Sequence, residues 1–343
     1  MNLLAGLVRF HFDEFEYNSH WGAADSVEEL LTRPNPILET THTLFNDRSD
    51  PRRAQELLYW LFSHNPYPDP GISVYAGFDA DGGRHLARSI QQTRHSIVSS
   101  LRARLDKENP FDVESAVFSL IDRIGARVDT RVDVGARLFR ARTGVAGRYR
   151  EIDGGWKPKV RQKPFADDKI GAPPPPKATS GRLNRTGIAF LYLASDAATA
   201  AAEIRPHPGH RVSIGQFECV DALRIASFNT DIAEFTGTEA DLDLFHFIHT
   251  TNILMSEPIV PAAVAKYSVT QLIADCLRQR GYDGVAYRSS VGDGDNLCVF
   301  TPTAFRYVEG SGEVLAVQTL KYELDAVPSM TADDADYHFV EQT

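Results

Sequence analysis

The feature that most constrains the fold is an alternation of strand-like and helix-like segments in the second half of the chain. Residues 211–219 are a strand candidate and residues 285–287 a short apolar strand, whereas helices are predicted over 241–254 and 268–280. Gly281 follows the second of these helices as a C-terminal cap. This alternation predicts an α/β or α+β domain that is built around a mixed sheet.

Other segments of this region fit the same architecture. A helix is predicted to begin with Ser195 or Asp196 as its N-cap and to run through Glu203, because Pro206 ends it. The remaining strands are predicted at residues 138–140, 189–193, 223–228 and 297–300.

Two stretches are rich in residues that favour turns. A long loop is predicted over residues 143–179, because the four prolines at 173–176 cannot continue a helix or a central strand. Within it, residues 156–163 carry four positive charges, which are compatible with a solvated loop or with a flap that faces phosphate. Residues 305–308 and 314–324 flank a glycine-containing turn and predict a hairpin.

The first part of the chain has a helical pattern. Another helix fits residues 112–124, and Gly125 ends it. These patterns predict a mainly helical N-terminal domain over residues 1–130, a second domain over 131–325 and an acidic tail over 326–343. The apolar residues that repeat at helical spacing are typical of core faces, and they are Leu86, Ile90, Ile97, Leu101 and Leu105.

Composition excludes several classes of protein. The net charge of −10 on 343 residues disfavours direct binding to nucleic acid. No apolar run approaches the roughly 18–20 residues that span a bilayer, and the start of the chain lacks the pattern of a signal peptide. Three cysteines without a Cys-x-x-Cys motif argue against a disulfide framework or a zinc site. A cytoplasmic protein is therefore expected.

Common catalytic motifs are missing from the sequence. There is no Gly-x-Gly-x-x-Gly after a strand, no Walker A motif, no His-Glu-x-x-His and no Gly-x-Ser-x-Gly. The pairs His207/His210 and His246/His249 have a spacing that suits metal, but no ordered Cys or acidic ligands accompany them. They are interpreted as surface or core histidines, and no metal is expected.

An ordered series of short motifs carries the functional information. Its pieces are Leu138-Phe139-Arg140, Ser180-Gly181-Arg182-Leu183-Asn184, the strand with Tyr192, residues 199–203, 267–274, 281–290 and 296–302. The series covers residues 138–302, about half of the chain, and resembles the RES family, which is named for an arginine, a glutamate and a serine.

The resemblance implies a fold and an activity. Members of the family have a sheet related to that of ADP-ribosyltransferases and are toxins of toxin–antitoxin pairs. They degrade NAD with inorganic phosphate or water as the acceptor, and a helix-turn-helix antitoxin neutralises them. NAD is then a substrate and phosphate a candidate co-substrate, so no cofactor is expected.

The resemblance also assigns site residues. The family's arginine, glutamate and serine correspond to Arg182, Glu203 and Ser289, which are expected to be catalytic, with Ser290 as the alternative serine. The residues expected to bind substrate are Arg140, Tyr192, Asn184 and Ser290.

The residue types suit this chemistry. Cleavage of the nicotinamide–ribose bond passes through an oxocarbenium-like state, and the pyridinium leaves as neutral nicotinamide. One carboxylate near the ribose, Glu203, is then needed rather than a general acid. Arg140 and Arg182 are suited to grip phosphate, Tyr192 to stack on nicotinamide, and the hydroxyl of Ser289 to bond phosphate or ribose.

Each assignment has a structural alternative. Arg182 is also compatible with capping a turn, Arg140 with a structural ion pair, and Tyr192 with a core position. Glu203 is compatible with a solvated helix end, and Ser289 with the end of a strand.

The sequence also departs from the family pattern. Leu183 stands where the family often has an aromatic residue, and the stretch between Arg140 and Arg182 is long.

Other questions are left open by the sequence. The acceptor of ADP-ribose is phosphate, water or a protein side chain, and the last would make the chain an ADP-ribosyltransferase. A catalytically idle binding module is a further alternative. The N-terminal helices are compatible with partner binding, restraint of the enzyme or sensing of a trigger. The antitoxin's identity and the oligomeric state, a homo-oligomer included, are also open.

Overall fold

The computed structural model describes residues 2–17, 27–32, 35–37, 88–152, 159–257 and 267–321, with the single residues 25, 52, 56, 60 and 324. The predicted acidic tail over 326–343 lies outside these residues. The helices are α1 Asn2–His11, α2 Glu14–Tyr17, α3 Val27–Thr32, α4 Ser96–Leu105, α5 Pro110–Ile124, α6 Ala197–Glu203, α7 Glu239–Ser256 and α8 Ser268–Gln279. The strands are β1 Asp129–Val132, β2 Arg137–Thr143, β3 Gly147–Arg150, β4 Val160–Lys163, β5 Leu191–Ala194, β6 Arg211–Cys219, β7 Leu223–Ser227, β8 Gly284–Arg288, β9 Asp295–Val299, β10 Phe305–Tyr307 and β11 Glu313–Ala316.

A nine-stranded mixed sheet forms the centre of the protein. Its order is β1-β7-β8-β9-β5-β2-β6-β10, and β11 also pairs with β6. The β7–β8 pair is parallel and the other pairs are antiparallel. The predicted α/β fold with a mixed sheet is thus confirmed.

The hairpin predicted near the C-terminal end of the sheet is wrong. Both of its strands pair with β6: Phe305 lies opposite Cys219, and Glu313 lies opposite Ile214. β10 and β11 are therefore consecutive parts of one edge, separated by an excursion of the chain. The turn residues between them produce this excursion, in which Ser311 accepts a hydrogen bond from Gln216 N at 3.0 Å.

The loop predicted over residues 143–179 contains regular structure. β3 and β4 form a separate two-stranded antiparallel sheet, with Arg148 opposite Gln162 and Tyr149 opposite Arg161. The sequence concealed this hairpin because its strands have no apolar face, and almost all of its side chains are exposed. Part of the predicted basic segment, residues 156–158, lies outside the described residues.

The main hydrophobic core joins the N-terminal helices to the sheet. α4 and α5 pack against α8, which lies with α7 on one face of the sheet. The side chains of Leu101 and Val117 belong to the same buried cluster as Ile273 and Val285. One core thus contains residues from both sides of the predicted boundary at residue 130.

The other face of the sheet has a smaller core, which includes Ile170, Leu191 and Phe217. No helix within the described ranges is both long enough and apolar enough to cross a membrane.

Candidate active site

Helix α6 carries Glu203 to the face of the sheet. Asp196 caps the helix and accepts a hydrogen bond from Thr199 N at 2.8 Å, as predicted for an N-cap. Most residues of α6 are alanines, which favour helix and allow close packing against β2. The helix ends at Glu203, and Arg205 then adopts a φ of 46°. The carboxylate therefore stands at a helix end beside the middle of the sheet.

Two donors converge on one oxygen of the Glu203 carboxylate. Ser289 Oγ donates to Glu203 Oε1 at 2.7 Å, and Asn296 Nδ2 donates to the same oxygen at 2.6 Å. Ser289 follows the end of β8, and Asn296 lies in β9 opposite Tyr287. We call Glu203, Ser289 and Asn296 the carboxylate cluster.

The structure distinguishes the two candidate serines. Ser289 is buried and bonded to Glu203, whereas Ser290 is exposed, and neither serine is part of the cavity lining. The family serine that was assigned to Ser289 thus lies beside the assigned glutamate. The predicted contact of Ser290 with substrate stays a prediction.

Arg140 projects from β2 into the same region. Its Nε donates to Ile170 O and its Nη1 to Tyr192 O, each at 2.7 Å. Burial lowers the pKa of Arg140 to about 10, so the guanidinium keeps its positive charge at neutral pH. No acidic side chain in the described part of the chain forms an ion pair with it, which leaves its charge available to an anion.

Arg182 has one side against protein and one toward the cavity. Its Nη1 donates to Glu257 O at 2.8 Å and to Leu254 O at 3.3 Å, at the C-terminal end of α7. A cation is favourable there because the last carbonyls of a helix carry partial negative charge. Its guanidinium also lies 5.5 Å from the ring centre of Tyr267. Arg182 is therefore both a helix cap and a wall of the cavity.

Asn184 holds the loop that carries Arg182. Its Nδ2 donates to Thr179 O at 2.9 Å and to Ile188 O at 2.8 Å, and its Oδ1 accepts from Tyr192 Oη at 2.8 Å. Asn184 is buried and is not part of the cavity wall. The structure thus gives Asn184 a role in holding the loop, and its predicted contact with substrate stays a prediction.

Tyr192 connects this loop to the cavity. Its hydroxyl accepts from Leu183 N at 3.0 Å and donates to Asn184, while the residue lines the cavity. Burial raises the pKa of Tyr192 well above its usual value, so the phenol stays protonated as a donor. A Cβ on Gly181 would lie 2.3 Å from Asn184 Oδ1, which explains the glycine before Arg182.

Two residues of α8 also hold the loop that carries Arg182. Gln271 Nε2 donates to Gly181 O at 2.8 Å and to Asn184 O at 3.0 Å. Thr270 Oγ1 donates to Arg182 O at 2.5 Å. Thr270 and Gln271, which belong to the motif series without an assigned role, therefore hold the loop that carries Arg182.

A cavity of about 400 Å³ brings the predicted residues together. This volume is within the range of small-molecule sites, roughly 300–1,000 Å³. Asn296 and the three residues Arg205, Tyr267 and Tyr287 also line it, and none of them was assigned a role from the sequence. The assigned residues in its wall are Arg140, Arg182, Tyr192 and Glu203.

Among the residues that the structure describes, no three His, Cys, Asp or Glu side chains are grouped to hold a metal ion. The expectation that the site works without a metal stays a prediction.

Comparison with known proteins identifies the family. No curated protein matches the sequence. Among solved structures, the M. tuberculosis MbcT–MbcA toxin–antitoxin complex aligns with a TM-score of 0.31 and 14% identity, over 59% of this chain and 92% of that one. The RES domain family matches residues 153–325, which make up half of the chain. The chain belongs to the RES family.

Proposed function

We propose that this protein is a toxin-type enzyme that degrades NAD by cleaving its nicotinamide–ribose bond. The observation that carries the proposal is one carboxylate, Glu203, held in the wall of a cavity that two arginines, Arg140 and Arg182, also line. NAD has the matching chemistry, because it combines a ribose that becomes cationic with a pyrophosphate. Family membership supports the same activity.

Glu203 is the group that would stabilise the reacting ribose. Its Oε1 is occupied by Ser289 and Asn296, while its Oε2 makes no hydrogen bond within the described ranges. As the bond between C1′ and the nicotinamide nitrogen breaks, its electron pair goes to the pyridinium, which leaves neutral. The positive charge that grows on the ribose is then stabilised by the negative carboxylate.

The arginines would bind the anionic parts of the reactants. Arg140 uses Nε and Nη1 for protein carbonyls, so its Nη2 is the group that can donate to a phosphate. Arg182 is fixed by carbonyls at the end of α7 in a similar way. Because protein groups orient both side chains before substrate arrives, little conformational entropy is lost on binding.

The acceptor is a separate part of the proposal. With phosphate as the acceptor, an oxygen of the anion bonds to the ribose carbon that nicotinamide leaves, and the product is ADP-ribose 1″-phosphate. With water as the acceptor, the product is ADP-ribose and a proton is released. Two arginines beside one carboxylate favour an additional anion, and we propose phosphate. The family resemblance further implies that a helix-turn-helix antitoxin neutralises the protein, and the scarcity of cysteine favours the cytoplasm.

Product analysis tests this function. Purified full-length protein is incubated with NAD, with and without inorganic phosphate, and the products are separated and weighed by mass spectrometry. We expect NAD to disappear faster with phosphate and the phosphorylated product to dominate. Identical rates and only ADP-ribose would establish hydrolysis. A labelled protein would establish ADP-ribosyl transfer, and unchanged NAD a binding module.

A further inference from the structure

Asn296 is a polar residue in an apolar part of the sheet. It is 4% exposed, and the next three residues of β9, Leu297, Cys298 and Val299, are buried. A buried primary amide costs free energy unless its groups are hydrogen-bonded. The bond of 2.6 Å to Glu203 supplies that partner. Packing against these buried neighbours does not require an amide at this position.

Chemistry fixes the orientation of the Asn296 amide. An ionised carboxylate only accepts hydrogen bonds, so the NH₂ group and not the carbonyl must face Glu203 Oε1. On the neighbouring strand β5, the residue opposite Asn296 is Ala194, whose small side chain leaves space beside the amide. Asn296 therefore reaches the carboxylate from the floor of the cavity.

Ser289 reaches the same oxygen with its hydrogen-bonding capacity fully used. Its Oγ accepts from Val291 N at 3.2 Å and from Gly292 N at 3.1 Å, and donates to Glu203 at 2.7 Å. A hydroxyl has one donor and two acceptor positions, and all three are engaged. In this arrangement Ser289 orients the carboxylate and has no group left for phosphate or ribose.

The turn after Ser289 is built against the helix that carries Glu203. A Cβ on Gly292 would lie 2.9 Å from Thr199 Cα, and Gly294 N donates to Thr199 Oγ1 at 3.1 Å. The turn that supplies both N–H groups to Ser289 is thus fastened to α6. The spatial relation between the serine and the glutamate is set by this contact.

We propose that Asn296 is a positioning residue for Glu203, which together with Ser289 holds one carboxylate oxygen so that the other faces the substrate. Asn296 acts through Glu203 and forms no bond to the reacting atoms. This inference rests on the proposed function, because the carboxylate it positions is the one assigned to the ribose.

The test measures NAD turnover by variants of the full-length chain. Asn296→Ala and Asn296→Asp both remove the donor, and Asp also places a second negative charge beside Glu203. We expect kcat to fall about 10- to 100-fold with Ala, the effect of one hydrogen bond to a charged group. The fall with Asp should be at least as large. The KM for NAD should change by less than about 3-fold, since binding is left to the arginines.

A double-mutant cycle separates positioning from general damage. If Asn296 acts through the carboxylate, Asn296→Ala should cost little further activity in a Glu203→Gln background. Asn229→Ala is the matched control, because Asn229 Nδ2 donates to Asp295 Oδ1 at 3.1 Å, another amide–carboxylate pair next to Asn296. It should keep wild-type kcat. Thermal unfolding verifies that each variant is folded.

The outcomes separate the two proposals. Normal kcat in both Asn296 variants, or equal losses in the wild-type and Glu203→Gln backgrounds, would overturn the positioning role while leaving NAD degradation in place. Absence of NAD loss with the wild-type protein would overturn the proposed function and this inference with it.

Discussion

Two partly buried polar clusters in the described residues differ in how their side chains are held. In the carboxylate cluster, Ser289 and Asn296 both donate to one oxygen of Glu203. The second cluster, which we call the histidine cluster, consists of His95, His246 and His249. It lies where the residues before α4 meet α7, and the ring centres of His95 and His246 are 5.5 Å apart.

The histidine cluster combines aromatic packing with hydrogen bonds, among them those of His246 Nε2 with Thr93 O and Thr93 Oγ1, each at 3.3 Å. The ring of His249 stacks on Phe245 at 5.8 Å and meets Phe10 edge-on at 5.2 Å. His95 Nδ1 and His249 Nε2 are buried without a partner among the described residues. His95 Nε2 does bond Asp243 Oδ1 at 3.2 Å. A catalytic carboxylate has to be oriented by hydrogen bonds, whereas rings that join α7 to the segment before α4 mainly need close packing, and this requirement explains the difference.

The largest expected effect comes from removing the N-terminal helices altogether. Deleting residues 1–125 removes α4 and α5, which pack against α8, and uncovers part of the buried core that they share with it. At about 1.5–3 kcal/mol for each uncovered side chain, the loss approaches the net stability of a typical domain, about 5–15 kcal/mol. We expect the fragment 126–343 to lose cooperative thermal unfolding and NAD turnover.

The same deletion tests whether the N-terminal helices restrain the enzyme. Circular dichroism and NAD consumption are measured on the fragment and on the full-length protein side by side. Under antitoxin control the fragment is equal or weaker. A folded fragment that consumes NAD faster than the whole chain would instead establish restraint within one chain, and would contradict a shared core.

The next effect is on chemistry without loss of folding. Glu203→Gln keeps the shape of the side chain and removes the charge that stabilises the ribose cation. We expect kcat to fall by about 100-fold or more, since electrostatic stabilisation is usually the largest catalytic contribution. The melting temperature should stay within a few degrees of the wild type. NAD turnover near the wild-type rate would remove Glu203 from the mechanism.

Much of the fold was predictable from the sequence, because the sheet and its helices follow apolar periodicity. The helix that ends at Glu203 and strand β6 match their predicted positions. The β3–β4 hairpin was missed, since its exposed strands carry no apolar signal. The pairing of β10 and β11 was wrong because a turn motif does not reveal which third strand the two segments share.

Only those site residues that belong to recognisable motifs with a known chemical role could be predicted from the sequence. Arg140, Arg182, Tyr192 and Glu203 were assigned by resemblance, and the structure places them around one cavity. Asn296 was quoted in a motif without a role, because an asparagine at a strand start does not indicate its partner. Its role required the register between β8 and β9 and the position of α6, which are long-range properties of the fold.

The smallest expected effect concerns the histidine cluster and pH. Burial lowers the pKa of His249 to about 4, with the nearby His246 and Arg94 acting in the same direction. The unfolded chain, with a histidine pKa of about 6.5, therefore binds more protons between pH 6.5 and pH 4. Stability is fully present above about pH 6.5 and is lost as the pH falls toward 4.

His249→Phe should remove this loss, because a phenyl ring keeps the contacts with Phe10 and Phe245 and cannot be protonated. After allowance for partial exposure of the ring, we expect the wild type to lose about 1–2 kcal/mol more stability than the variant between pH 7 and pH 5. Urea unfolding at both pH values measures the difference. His246, whose pKa burial also lowers, still contributes in the variant, so the slope should shrink without vanishing. Parallel pH dependence in both proteins would mean that His249 is not a source of acid sensitivity, and that the histidine cluster tolerates charge as the carboxylate cluster does.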